Sequence, residues 1–137
     1  MYEHSPVTDS EFVYRRIHRS YYQAGLPIAL HPAAFRPNQN DTSGISVFRA
    51  AFLQAADTLT SIEASKRDQY YVARLAVTEL RRVGLTVAPD PDPNGPPGHA
   101  VIPELNWQAY RADKQRLKQI QLELAKLASA AIVHQPN

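Results

Sequence analysis

The residues with chemical potential in this chain are mainly arginines and histidines. Arg15, Arg16 and His18 fall in YRRIH, Arg36 in AFRP and Arg49 at the end of ISVFR. A guanidinium donates two parallel hydrogen bonds from a rigid fork, which suits a phosphate or carboxylate group. If the segments carrying Arg15, Arg16 and Arg49 pair as strands, an arginine from each meets Arg36 around one anion. The opposing reading is a set of ordinary surface or ion-paired arginines. Ser46, inside GISVFR, is placed to hold a ribose or a carbonyl, or is simply a sheet residue. No G-x-S-x-G turn is present, and no acid lies near enough in sequence to complete a Ser–His pair. His31 and His99 sit in loops beside proline or glycine and suit proton transfer. Glu104, directly after Pro103, is the carboxylate best placed to act near a strand end.

The five histidines are His4, His18, His31, His99 and His134. None forms an i, i+4 helical pair. His18, His31 and His99 could meet in space around zinc, yet a neutral imidazole bonded within the fold is the simpler role. The expectation is therefore no metal and no cofactor. Cysteine is absent, which removes disulfides, thiolate catalysis and Cys-ligated metals. A segment from Tyr14 to Tyr22 interleaves aromatic and basic side chains. That pattern would suit single-stranded nucleic acid by stacking and phosphate neutralisation, but a formal charge of +2 is low for a dedicated binder.

The charge is unevenly placed. Residues 12–56 hold five arginines against one acid, Asp41, while residues 84–106 hold Asp90, Asp92 and Glu104 with no Lys or Arg. Arginine outnumbers lysine eleven to four. Apolar residues make up 44% and charged residues 20%, so the chain can build a core and is not a disordered type. No apolar run approaches the roughly 18–20 residues that span a bilayer. The first twelve residues, MYEHSPVTDSEF, lack the apolar stretch of a signal peptide. A cytoplasmic protein with no membrane partner is expected.

These residues need elements to position them. Residues 1–10 read as a frayed or edge-packed arm, and 11–137 as one domain. Phe12–His18 reads as a strand, with Val13, Arg15 and Ile17 on one face and Tyr14, Arg16 and His18 on the other. Residues 20–43 form a long connection punctuated by Gly25, Pro27, Pro32 and Pro37, with LPIAL and AAF as apolar anchors. Ile45–Arg49 is a second strand. Residues 50–66 carry a helical period through Phe52, Ala55, Leu59 and Ile62. Residues 70–77 are the strongest strand pattern. A short helix over 78–83 takes Thr78 as N-cap and Gly84 past its end. Short strands follow at 85–88 and 100–102. Between them lies PDPDPNGPPG, a stiff loop that is a lid, a docking surface or a connector. Residues 106–131 read as one long helix, capped by Asn106. At about 1.5 Å per residue it would be roughly 37 Å long, enough to protrude onto a partner or to lie across the sheet. The order predicts an α+β fold with a small mixed or mostly antiparallel sheet of about five strands, two or three helices and a long C-terminal helix.

YRRIH, AFRP, DTSGISVFR, LTVAPDP and GHAVIPEL together resemble a set of small bacterial proteins to which no activity is assigned. That resemblance covers residues 14–105 and implies a bacterial source and a compact domain, with no site transferred. The chain is also similar, more loosely, to ADP-ribosyl-transferring and NAD-degrading folds. There an Arg of the first strand, a polar residue of a later strand and a late Glu grip NAD. The resemblance assigns those roles to Arg15 or Arg16, Ser46 and Glu104. The leading functional expectation is an accessory or regulatory module. It would bind a protein partner, or a second copy through the C-terminal helix, and an anionic ligand through an Arg-rich face. The alternative is a small enzyme or sensor directed at a nucleotide, NAD-like or RNA-like.

Overall fold

A computed structural model describes residues 2–137. Six strands form one sheet in the order β4-β5-β2-β1-β3-β6. They are β1 (Phe12–His18), β2 (Ile45–Arg49), β3 (Tyr70–Ala76), β4 (Ala88–Pro89), β5 (His99–Ile102) and β6 (Ile132–His134). All the pairings are antiparallel. The helices are α1 (Val77–Arg82), α2 (Trp107–Ala112) and α3 (Lys114–Ser129). This is the expected α+β class, with an antiparallel sheet one strand larger than anticipated. Among the described residues no helix is long and apolar enough to cross a membrane.

Strand alternation divides the sheet into two faces. The inner face carries Val13, Ile17, Ile45, Val47, Ala73, Leu75, Ala100 and Ile102. These pack with Phe35, Leu80, Leu117, Leu124, Ala125 and Ala128 into one core. Full burial of a leucine such as Leu117 or Leu124 contributes about 2 kcal/mol. The outer face is more polar. Tyr14, Arg16, His18, Ser46, Phe48 and His99 stand there, and Phe48, Val72 and Val101 are buried outside the main core. The segment between β2 and β3 covers part of this face and contributes Thr58 and Leu59.

The expected helix over 106–131 is in fact two helices. Asn106 caps α2, its side chain accepting from the Ala109 N–H at 2.9 Å. Asp113 then leaves helical geometry (φ −150°, ψ 79°) and caps α3 by accepting from the Arg116 N–H at 3.1 Å. A short acidic side chain competes for backbone donors and so breaks a helix whose apolar stripe runs on. The resulting α3 is roughly 24 Å long at about 1.5 Å per residue. It lies in the core and does not protrude. The chain after it turns back as β6 and pairs with β3.

The helical period over 50–66 also resolves differently. It forms turns and 3₁₀ segments at Ala55–Leu59 and Ala64–Gln69. The Thr58 and Thr60 hydroxyls donate to the Ala55 and Asp57 carbonyls at 2.7 and 2.9 Å, favouring tight turns over a continuous helix. Helix α1 starts one residue before Thr78, and its N-cap Ala76 makes no side-chain cap bond. Gly84 follows its C-terminus with φ +87°, as a left-handed closing residue should. Of the expected strand at 85–88 only Ala88 is in β4, which runs on to Pro89.

The N-terminal arm is packed, not frayed. Val7 is buried, and Arg49 reaches the arm's carbonyls at Glu3 and Ser5 (3.1 and 2.8 Å). In the long connection Leu30, Ala34 and Phe35 are buried anchors, whereas Leu26 is 52% exposed.

Candidate functional site

The candidate site lies on the outer face, where β1, β2 and β5 run side by side beneath the proline-rich loop. His99 opens β5 and pairs directly with Phe48 of β2. Its ring meets the Phe48 ring edge-on at 5.4 Å. Nδ1 lies 2.7 Å from the main-chain carbonyl of Asp90, which can only accept. In the neutral ring the proton is therefore on Nδ1, and Nε2 carries the lone pair. Nε2 lies 3.0 Å from the Ser46 hydroxyl, which thus donates to it. The Asp90 carboxylate is 3.4 Å from the same Nδ1, placed to stabilise the ring whenever it takes up a proton. The hairpin between β4 and β5 creates this juxtaposition, because the Asp90 N–H donates to the His99 carbonyl at 3.0 Å.

Arg16 lies on the same face, with its guanidinium carbon 4.9 Å from the Phe48 ring centre. One nitrogen, Nη1, donates to the Thr58 carbonyl and the Ser61 hydroxyl at 3.1 and 2.9 Å. Nε and Nη2 form no hydrogen bond among the described residues, and Arg16 lines the adjoining cleft. Burial pushes the Arg16 pKa below its ordinary value. Arg16, Phe48 and His99 form one wall of a cleft of about 170 Å³, and Ser61, Asp92 and Asn94 complete it with Gly95 and Pro96. Asp92 shapes the loop, its side chain accepting from the Asn94 N–H at 2.9 Å. The cleft thus presents a cation, a carboxylate, an amide and a hydroxyl within a volume close to that of one small polar group and part of its carrier.

The other sequence candidates do not converge here. Arg15 points to the inner face and donates to the carbonyls of Ser46 and Ala34 at 2.8 and 3.0 Å. Its Nε is buried without a partner. Burial lowers its pKa to about 10, opposed by Asp41. It pins the 3₁₀ turn Pro32–Phe35 to β2. Arg49 is 0% exposed and clamps Glu11, with Nε and Nη2 at 2.8 and 2.9 Å from the two carboxylate oxygens. It is a core residue. Arg36 and His31 lie on the helical side, along α2 and α3. His31 caps the Pro32–Phe35 turn by accepting from the Ala33 N–H at 2.9 Å. His18 is on the outer face but bridges Ser20 and Gln69 at 2.9 and 3.2 Å. Glu104 binds the Thr86 N–H and hydroxyl at 2.8 and 2.6 Å, away from the cleft. Thus the Arg, Ser and Glu assigned to gripping NAD are only partly assembled. Arg16 and His99 line one cleft, Ser46 is bonded to His99, and Glu104 is elsewhere. The expected meeting of Arg15 or Arg16 with Arg36 and Arg49 on one anion does not occur, because alternation turns Arg15 and Arg49 to the inner side, Arg49 is taken by Glu11, and Arg16 and Arg36 lie on opposite sides of the sheet.

Sequence reasoning missed Asp90 as the orienting group for His99, and Asp92, Asn94 and Ser61 as lining residues. The available signal was the position of the proline-rich loop immediately before β5, which makes residue 90 face residue 99 across an antiparallel pairing. Among the described residues no group of three His, Asp or Glu side chains could hold a metal ion. Comparison of the chain with protein-family models, with curated proteins and with solved structures finds no match.

Proposed function

We propose that this protein binds a small hydroxyl-bearing phosphate compound, a nucleotide or sugar phosphate, in the outer-face cleft. The observation that carries this reading is that Arg16 and His99 line one cleft while Ser46 is bonded to His99, the three residues coming from three strands far apart in sequence. Arg16 supplies a partly desolvated guanidinium whose unused donors suit a phosphate. Asp92 and Asn94 supply an acceptor and an amide for ligand hydroxyls. Such convergent polar groups in a concave site are the usual mark of a small-molecule pocket. An Arg-rich protein-docking face receives less support, since Arg49 is buried, Arg15 turns to the inner face and binds main-chain carbonyls, and Arg16 and Arg36 lie on opposite sides of the sheet.

The Ser46–His99 bond favours a second, catalytic reading of the same cleft. His99 is oriented to take the proton of Ser46, or of a ligand hydroxyl that displaces Ser46, with the Asp90 carboxylate nearby to stabilise the imidazolium. Binding is the primary reading, because the cleft lining itself offers a cation, a carboxylate and an amide.

Thermal-shift measurements with inorganic phosphate, ribose 5-phosphate, adenosine monophosphate and NAD test the proposal. A true ligand at about 100 times its dissociation constant adds about 2.7 kcal/mol of stability. Arg16→Lys should weaken that ligand at least tenfold, because an ammonium cannot reproduce the fork. Absence of a shift with all four compounds at millimolar concentration would refute it. If Ser46→Ala and His99→Gln retain binding but lose turnover of the bound ester, the catalytic reading gains.

A further inference from the structure

A second concavity lies on the opposite side of the molecule, between the long connection and α3. Its two parts, about 390 and 350 Å³, share His31, Pro32 and Leu122 and so form one open trough. Each part is within the size range of small-molecule sites. One end is apolar, formed by Leu26, Pro27 and Ile28. Leu26 is 52% exposed there, among the most exposed large aliphatic side chains of the fold. The other end carries Arg36 and Lys118 beside Gln121. No acidic residue lines either part.

Gln121 is the unusual member. It is 3% exposed, on the buried side of α3, yet its side-chain nitrogen makes no hydrogen bond. A buried donor without an acceptor pays its desolvation in full, so native interiors rarely leave one. A leucine at this position would continue the apolar stripe of Leu117 and Leu124 at no such cost. The orphan donor and the two cations surround one end of a trough whose other end is hydrocarbon.

We propose that this trough binds a free carboxylic acid with an aliphatic chain. The carboxylate accepts from Gln121 Nε2 and is neutralised by Arg36 and Lys118. The chain lies over Leu122 and along Leu26, Pro27 and Ile28. The site is separate from the outer-face cleft, and each can stand or fall alone.

Isothermal titration with decanoate, decanol and decyltrimethylammonium, each kept monomeric, tests the proposal on the full chain. Decanoate should bind, decanol at least tenfold more weakly and the ammonium compound not measurably. Gln121→Leu should weaken decanoate at least fivefold without lowering the melting temperature of the free protein. Lys118→Glu, at an exposed position, should weaken it further. Equal binding of the three amphiphiles, or no decanoate binding at millimolar concentration, would overturn the proposal. So would unchanged affinity in both variants. Association with phosphatidylglycerol vesicles without binding of monomeric decanoate would also overturn it, since the anionic group would then be recognised only in a membrane.

Discussion

Glu11→Gln should destabilise this protein more than almost any other change of one atom's identity. Arg49 is 0% exposed, and both oxygens of Glu11 accept from it. The amide of a glutamine supplies one acceptor and places a donor against the guanidinium, so the positive charge loses its counter-charge in a buried site. Removing one partner of such a pair typically costs about 3–5 kcal/mol. The main-chain carbonyls of Glu3 and Ser5 still solvate Arg49, so the lower end, about 3 kcal/mol, is expected. For a domain of this size that is a fall of roughly 10 °C in melting temperature. Burial pushes the Glu11 carboxyl up, but hydrogen bonds from Arg49 and from the Thr8 backbone outweigh it and hold the pKa below the ordinary 4.5. A depressed carboxylate pKa stabilises the fold above the unfolded pKa, and that contribution fades as pH falls through the folded value. Wild type should therefore lose stability below about pH 4.5, close to the unfolded value, and Glu11→Gln should lose less over the same range. Urea unfolding followed by circular dichroism from pH 7 to 3 reads both effects. The double change Glu11→Leu with Arg49→Met removes both charges and should recover most of the loss. A single variant within about 1 kcal/mol of wild type at pH 7, against the 3–5 kcal/mol expected of a broken buried pair, would refute the reasoning.

Other changes should read out other parts of the fold. Gly44 has φ +126°, and a Cβ there would lie 2.3 Å from the Ile102 carbonyl oxygen. Gly44→Ala should therefore cost more than about 3 kcal/mol or abolish folding, as judged by denaturant melts. Asp113→Ala removes the cap that starts α3 and should cost about 1 kcal/mol in the same assay. Arg15→Lys cannot reproduce both bonds to the Ser46 and Ala34 carbonyls. It should lower stability by about 1–3 kcal/mol and raise hydrogen exchange in the turn Pro32–Phe35.

Much of the fold was legible because its periodicities are strong. The period-two patterns of β1, β2 and β3 appear in the sequence as they do in the structure, and so does the apolar stripe of α3. The break at Asp113 was not legible, because a stripe records which face is buried and not whether the backbone is continuous. Strand β6 was hidden for a related reason. Its three residues follow the stripe without a glycine or proline to mark the end of the helix. For the site, residue type pointed to Arg16, Ser46 and His99, and alternation separated Arg16 from Arg15. What a sequence cannot supply is the partner of each charge. Arg49 resembles Arg16 in type, and both lie on strands. Only the structure shows that Glu11 occupies Arg49, while Arg16 lines a cleft. Asp90 was obscured because its role depends on the register of a hairpin whose first strand is two residues long.

The most direct test is nitrogen-15 NMR of the backbone and histidine side chains during titration with adenosine monophosphate and ribose 5-phosphate. The account predicts His99 in the Nδ1-protonated tautomer when neutral. It also predicts saturable shifts confined to the outer-face cleft, at Arg16, Ser46, Ser61, Asp92, Asn94 and His99. A mixed tautomer at His99, or shifts that are absent or fall on the helical side, would contradict it.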